Sequence, residues 1–134
     1  MDKSDSLERG IAFAQKVYGA FTNTSPGAMS LPAEIRDDAY DWGMSAIFGD
    51  IWSRTGLDTK TRLLITIALL GALNRREGLR EHVYTALKND ISRQEICETL
   101  FHIAFLSGLP SSLESLRLTK TVFDEIDAQA AAAK

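Results

Sequence analysis

The sequence predicts an all-α fold, a bundle of six helices, and three observations lead there. Apolar residues recur at three- and four-residue spacing along almost all of the 134-residue chain. No run alternates with period two for long, and the breaks between periodic stretches are short. Hydrophobic residues make up 45% of the chain and charged residues 25%, the proportions of an ordinary globular protein.

The first helix is read from Leu7, Ile11, Ala14, Val17, Tyr18 and Phe21. It ends at the turn-forming run Asn23-Thr24-Ser25-Pro26-Gly27. Pro32 suits the first turn of a second helix, with Ile35, Ala39, Trp42, Met44, Ile47 and Phe48 toward its buried side and Gly49 near its end. Asp58 is placed to cap a third helix from about Thr59 to Asn74. That helix is apolar on nearly all sides, so it is expected at the centre of the assembly. Leu79, Val83, Tyr84 and Leu87 mark a fourth helix, closed by Asn89-Asp90. Ser92-x-x-Glu95 reads as a capping box opening the fifth, which continues through Ile96, Leu100, Ile103 and Ala104 to Gly108. Pro110 starts the last helix, carrying Leu113, Leu116, Leu118, Val122, Phe123 and Ile126. The simple tail 128–134 is expected to fray. The whole chain, 1–134, reads as one domain. So small a bundle with so apolar a helix gains its missing core from partners, so a homo-oligomer is expected.

Composition excludes several function classes. The formal net charge of -3 argues against a nucleic-acid binder that relies on broad phosphate neutralisation. A local Arg or His cluster can still take an anionic small molecule. The longest apolar run, Leu63 to Leu73, is too short to span a bilayer. The charged start Asp2-Lys3-Ser4-Asp5 is followed by no apolar signal core, so no membrane partner is expected and the cytoplasm is the expected compartment. Cys97 is the only cysteine, which excludes an intrachain disulfide and any CxxC centre.

Few side chains stand where chemistry could use them. His82 sits on a helix face turned partly inward, suited either to a structural hydrogen bond or to moving a proton. His102 lies within Phe101-His102-Ile103-Ala104-Phe105, where burial would favour its neutral form. Arg62 enters the first turn of the apolar third helix, either as a salt-bridge partner or as a clamp on a carboxylate. The histidines share no metal-binding spacing, so no metal is expected. Glu95 is accounted for by capping, and Cys97 reads as an inert thiol.

Five fragments read together carry a resemblance. They are Trp52-Ser53-Arg54-x-Gly56-Leu57-Asp58, Thr61-Arg62-Leu63-Leu64-x-x-Ile67-Ala68, His82-Val83-x-x-Ala86-Leu87, Glu95-Ile96-x-Glu98-x-Leu100 and His102-x-Ala104-Phe105-x-x-Gly108-x-Pro110. From about Ile47 to Phe123 the chain resembles the carboxymuconolactone decarboxylase family, which shares the alkylhydroperoxidase-like fold. The resemblance implies an all-α bundle assembled as trimers or hexamers, without a cofactor. The redox branch of that fold carries two cysteines at the positions held here by Arg75 and Gly78, so peroxidase chemistry of that kind is excluded. The decarboxylase branch commonly has glutamate at the position of Gly78 and tyrosine at the position of Leu106. A glycine usually follows the asparagine matching Asn89. With Gly78 and Leu106 the pocket is expected to be drier and roomier.

The resemblance implies a lyase acting on a carboxylated lactone or related enolisable acid. His82 would handle the proton and Arg62 the charge, with Arg54, Trp52, His102 and Leu106 lining the substrate. Two other readings stand beside it. One is a cyclase, dehydratase or isomerase acting on a more apolar natural product; the other is a non-catalytic oligomer that binds a ligand.

Overall fold

The computed structural model describes residues 2–19 and 29–134, all helical or connecting. Phe21 and the turn expected over Asn23–Gly27 lie outside the described residues. The chain divides into two compact units, Met1–Leu57 and Asp58–Lys134.

In the first unit, helix α1 (Lys3–Tyr18) opens on Asp2, whose carboxylate accepts from the Ser4 amide. Helix α2 (Ala33–Trp42) follows, with Pro32 at its N-cap rather than inside its first turn. The chain then winds on without a break into a π-helix, Gly43–Trp52. Such helices are rare, and ten residues is long for one. Helix α1 lies against it at backbone distance. A Cβ added to Gly10 would stand 1.6 Å from the Met44 carbonyl oxygen, and one added to Gly49 would stand 2.1 Å from that of Ser6. Around this contact Arg9 donates to the Gly49 carbonyl (2.9 Å) and Ser6 to Asp50 (2.7 Å).

The second unit begins where the sequence places the Asp58 cap. The Asp58 carboxylate accepts from the Thr61 amide at 2.7 Å, opening α3 (Thr59–Ala72). Asn74, with φ of 59°, turns the chain into α4 (Arg76–Lys88), forming a helical hairpin. The capping box is formed in full: Ser92 accepts from the Glu95 amide and Glu95 from the Ser92 amide, opening α5 (Arg93–His102). The fifth helix does not run unbroken to Gly108. It breaks at Ile103 into a single turn, α6 (Ala104–Ser107). Pro110 lies in the first turn of α7 (Leu109–Ala132), as expected of a residue with no amide to donate.

Leu63, Ile67, Val83, Ile96, Leu100 and Val122 form the core of this unit. Along α7 the buried side chains include Ser112, Ser115 and Thr119, small enough to let the helix approach closely. Ser112 caps the contact by donating to the Leu100 carbonyl at 2.7 Å. The third predicted helix, α3, is buried only along Leu63, Ile67 and Gly71. Its opposite stripe, Ile65, Leu69 and Leu73, is exposed in the single chain.

Candidate active site

His82 is the best-defined of the expected residues. It is half-buried on α4, and its Nδ1 lies 2.8 Å from the carbonyl oxygen of Gly78, one turn earlier. A carbonyl can only accept, so Nδ1 carries the hydrogen. In the neutral ring the basic lone pair is therefore on Nε2. A histidine held in one tautomer by the main chain is suited to taking and returning a proton at the other nitrogen.

Position 78 also shows what replaces an acid there. A Cβ on Gly78 would stand 3.0 Å from Leu70 Cδ2. The space beside Gly78 is taken by an isobutyl group from α3, so the glycine makes the surroundings apolar but not roomier. The Leu70–Gly78 contact also sets the register of the α3–α4 hairpin. Counting along antiparallel helices, position 82 falls level with about position 66. Arg62 then lies one turn further along α3, about 6 Å away in rise. Arg62 is half-buried, and its carbonyl accepts from the Thr66 hydroxyl at 2.8 Å.

His102 is placed differently from expectation. It is exposed at the end of α5, where the helix breaks and Phe101 and Phe105 also turn outward. The desolvation argued from its apolar neighbours is therefore absent in the single chain. His102 lines an open groove of about 430 Å³ between α3 and α5, with Leu64, Ile65, Ala68, Glu98 and Thr99. Leu106, on α6, is 87% exposed. Trp52 and Arg54 belong to the first unit. Trp52 packs edge-on against Phe13 and Tyr18 with ring centroids 6.4 and 6.0 Å apart, and Arg54 is exposed just past the π-helix. Four of the six expected residues, Arg62, His82, His102 and Leu106, thus share the second unit.

Some other polar groups make structural contacts. Glu125 accepts from Arg80 and, at 2.6 Å, from the Tyr84 hydroxyl; these bonds hold its carboxyl below the usual carboxylate range. Burial, with help from Glu98, pushes the Cys97 thiol up, the opposite of what a nucleophilic thiolate needs. Among the described residues no group of three or more His, Cys, Asp or Glu side chains is placed to hold a metal ion. No helix of the described residues is long and apolar enough to cross a membrane.

The carboxymuconolactone decarboxylase family model matches residues 37–121, well over half the chain. The chain belongs to the carboxymuconolactone decarboxylase family. Relatives agree with that membership. A 4-carboxymuconolactone decarboxylase of Acinetobacter baylyi is 37% identical over 79 residues, covering 59% of each chain. An uncharacterised 15.0 kDa protein of Paracoccus denitrificans is 40% identical over 83 residues, 60% of this chain and 61% of its own. A nitrosuccinic acid decarboxylase of Metarhizium robertsii is 28% identical, but over 127 residues, 94% of this chain and 83% of that one. The chain thus spans about three-fifths of the length of the first two relatives. Two of these relatives are named as decarboxylases. Sequence reasoning singled out His82 as a candidate but not its anchor, because a main-chain acceptor leaves no mark in the residue text.

Proposed function

We propose that this protein is a cofactor-independent carboxy-lyase acting on a dicarboxylic acid that carries one carboxylate beside an electron sink. The observation that carries the reading is the Gly78-anchored His82, on a chain whose named relatives decarboxylate such acids. Both 4-carboxymuconolactone and nitrosuccinic acid lose one carboxyl and keep another. In each the carbanion left behind is delocalised, into the unsaturated lactone or into the nitro group.

The carbon–carbon bond to the departing carboxylate breaks, carbon dioxide leaves, and the electron pair passes into the sink. Protonated His82 gives the Nε2 proton to the resulting carbanion, and neutral His82 regains a proton from water. Arg62 holds the carboxylate that remains and offsets the charge building on the sink. The acid is held by a homo-oligomer, a trimer or hexamer in the family's manner.

Purified protein incubated with each of the two acids should release carbon dioxide. Replacing His82 by Asn keeps a donor near the Gly78 carbonyl but removes the basic nitrogen. That variant should lose about 10²- to 10⁴-fold in kcat, the usual share of a positioned proton donor. A His82→Ala protein that decarboxylates as fast as the wild type would overturn the assignment.

A second reading draws on the apolar floor of the His102 groove, made by Leu64, Ile65 and Ala68. It takes the same fold as a cyclase, dehydratase or isomerase, or a binding protein, for an apolar cyclic compound. Thermal stabilisation by such compounds, with no carbon dioxide from either acid, selects it.

A further inference from the structure

Arginines without partners gather at one end of the second unit. Arg80 pairs with Glu125 and Arg93 with Asp127. By contrast, the side chains of Arg75, Arg76 and Arg117 make no hydrogen bond or ion pair among the described residues. All three line a pair of cavities where the α3–α4 turn meets α7. The smaller, about 30 Å³, is lined by Asn74, Arg75 and Arg76 from the turn and by Glu114 and Ser115 from α7. The larger, about 380 Å³, shares Arg76 and Glu114 with it and adds Arg117 and Thr121.

Two further features set this place apart from an ordinary charged surface. Ser115 is only 5% exposed, yet its hydroxyl makes no hydrogen bond among the described residues. It faces the end of α3, since a Cβ on Gly71 would stand 3.0 Å from Ser115 Oγ. A buried hydroxyl left unpaired on a cavity wall loses its hydration, and a bound acceptor would restore the lost bond. Helix α4 also opens here on Arg75, which supplies no side-chain cap, so its first amides are left to another acceptor. The smaller cavity has room for about two groups the size of water, enough to admit oxygens of a compact anion.

The charge balance selects among anions. Three guanidinium groups against one carboxylate favour a dianion, and guanidinium forks suit phosphate oxygens. Glu114 lines both cavities beside the arginines and is bonded to none of them. A carboxylate there repels an anion that has only acceptors, but accepts from one that carries a hydroxyl. At neutral pH inorganic phosphate keeps at least one hydroxyl, and sulfate keeps none. We propose that this end of the unit binds hydrogen phosphate. Arg75, Arg76 and Arg117 hold its oxygens, the Ser115 hydroxyl donates to it, and Glu114 accepts from its P–OH. His82 and Arg62 line neither cavity, so the site is separate from the one proposed to decarboxylate.

The test is calorimetric titration of the full chain with sodium phosphate, then with sodium sulfate, at constant ionic strength in chloride. Saturable binding of one phosphate per chain is expected, with sulfate about tenfold weaker. Arg76→Gln and Arg117→Gln, both at exposed positions, should each weaken phosphate about tenfold at unchanged helical content. Glu114→Gln should remove the preference, because the neutral amide no longer repels sulfate. Absence of saturable phosphate binding overturns the proposal. So does binding that both arginine variants retain, since the anion then sits elsewhere. Sulfate bound by the wild type as tightly as phosphate also overturns it, because Glu114 then reads no hydroxyl. None of these readouts depends on decarboxylation, so loss of this site and loss of the proposed reaction are told apart.

Discussion

At the scale of single residues, the second unit buries a hydroxyl that makes no hydrogen bond. The Thr119 hydroxyl, on a residue only 1% exposed, has no hydrogen-bond partner among the described residues. Its neighbours on the same helix show the alternative: Ser112 donates to a backbone carbonyl of α5. An unmade bond costs the full desolvation of the hydroxyl, while valine has the same shape without that cost. Thr119→Val should therefore raise stability by about 1 kcal/mol, read as a higher urea midpoint at unchanged slope. The residue text did not reveal this, since a threonine in a helix normally turns its hydroxyl to the preceding turn, as Thr66 and Thr99 do here. His82 was legible as a candidate because it stands in a recognisable run. That Arg62 lies about one turn along α3 from the level of His82 was not legible, because it follows from the hairpin register at the Leu70–Gly78 contact.

At the scale of elements, the caps were the most legible feature. Asp58 and the Ser92–Glu95 box act through short side chains on amides two or three residues away, so local sequence suffices. The π-helix was not legible, because apolar spacing along Gly43–Trp52 fits the ordinary helical period as well. Its contact with α1 depends on two glycines far apart in sequence. At Gly10 a methyl group would meet backbone rather than a mobile side chain, so the helices must separate. Gly10→Ala should cost about 3 kcal/mol or more, in the range of severe overpacking, although alanine is the better helix former. The same urea measurement checks the sign. Gly78→Ala makes a fair control, because Leu70 can turn away from the new methyl.

Ion pairs that tie α4 and α5 to α7, and α3 to α5, shape the response of the second unit to acid. Arg80 and Tyr84 hold the Glu125 carboxyl down, Arg93 does the same for Asp127, and Lys60 with the Ser92 amide does so for Glu95. A carboxyl with a lowered folded pKa stabilises the fold above the unfolded value and loses that contribution as pH falls through the folded one. The urea midpoint should be steady from neutral pH to about pH 5 and fall below about pH 4. Because these pairs are on the surface, the drop should be modest and smaller in high salt.

At the scale of the whole molecule, the apolar text was read correctly as helical but could not say whose core it belongs to. Leu63 and Leu69 look alike in sequence, yet one is fully buried and the other is 56% exposed. Periodicity reports which side of a helix is apolar, not whether the covering surface is in the same chain. If the exposed face of the second unit is covered by further copies, folding and assembly are linked by mass action. The thermal midpoint should then rise with protein concentration, by several degrees over a hundredfold range, and Leu106→Asp should abolish that dependence. A midpoint independent of concentration would mean that the face stays bare.

The bond from His82 to Gly78 is made with the main chain, and that matters for how such a protein can change over time. Every residue has a carbonyl, so a substitution at position 78 leaves the acceptor in place and the ring in the same tautomer. The side chain at position 78 is then free to vary within the room Leu70 allows. Under the proposed function, the group that handles the proton and the side chain beside it can therefore change separately, without first dismantling the anchored ring.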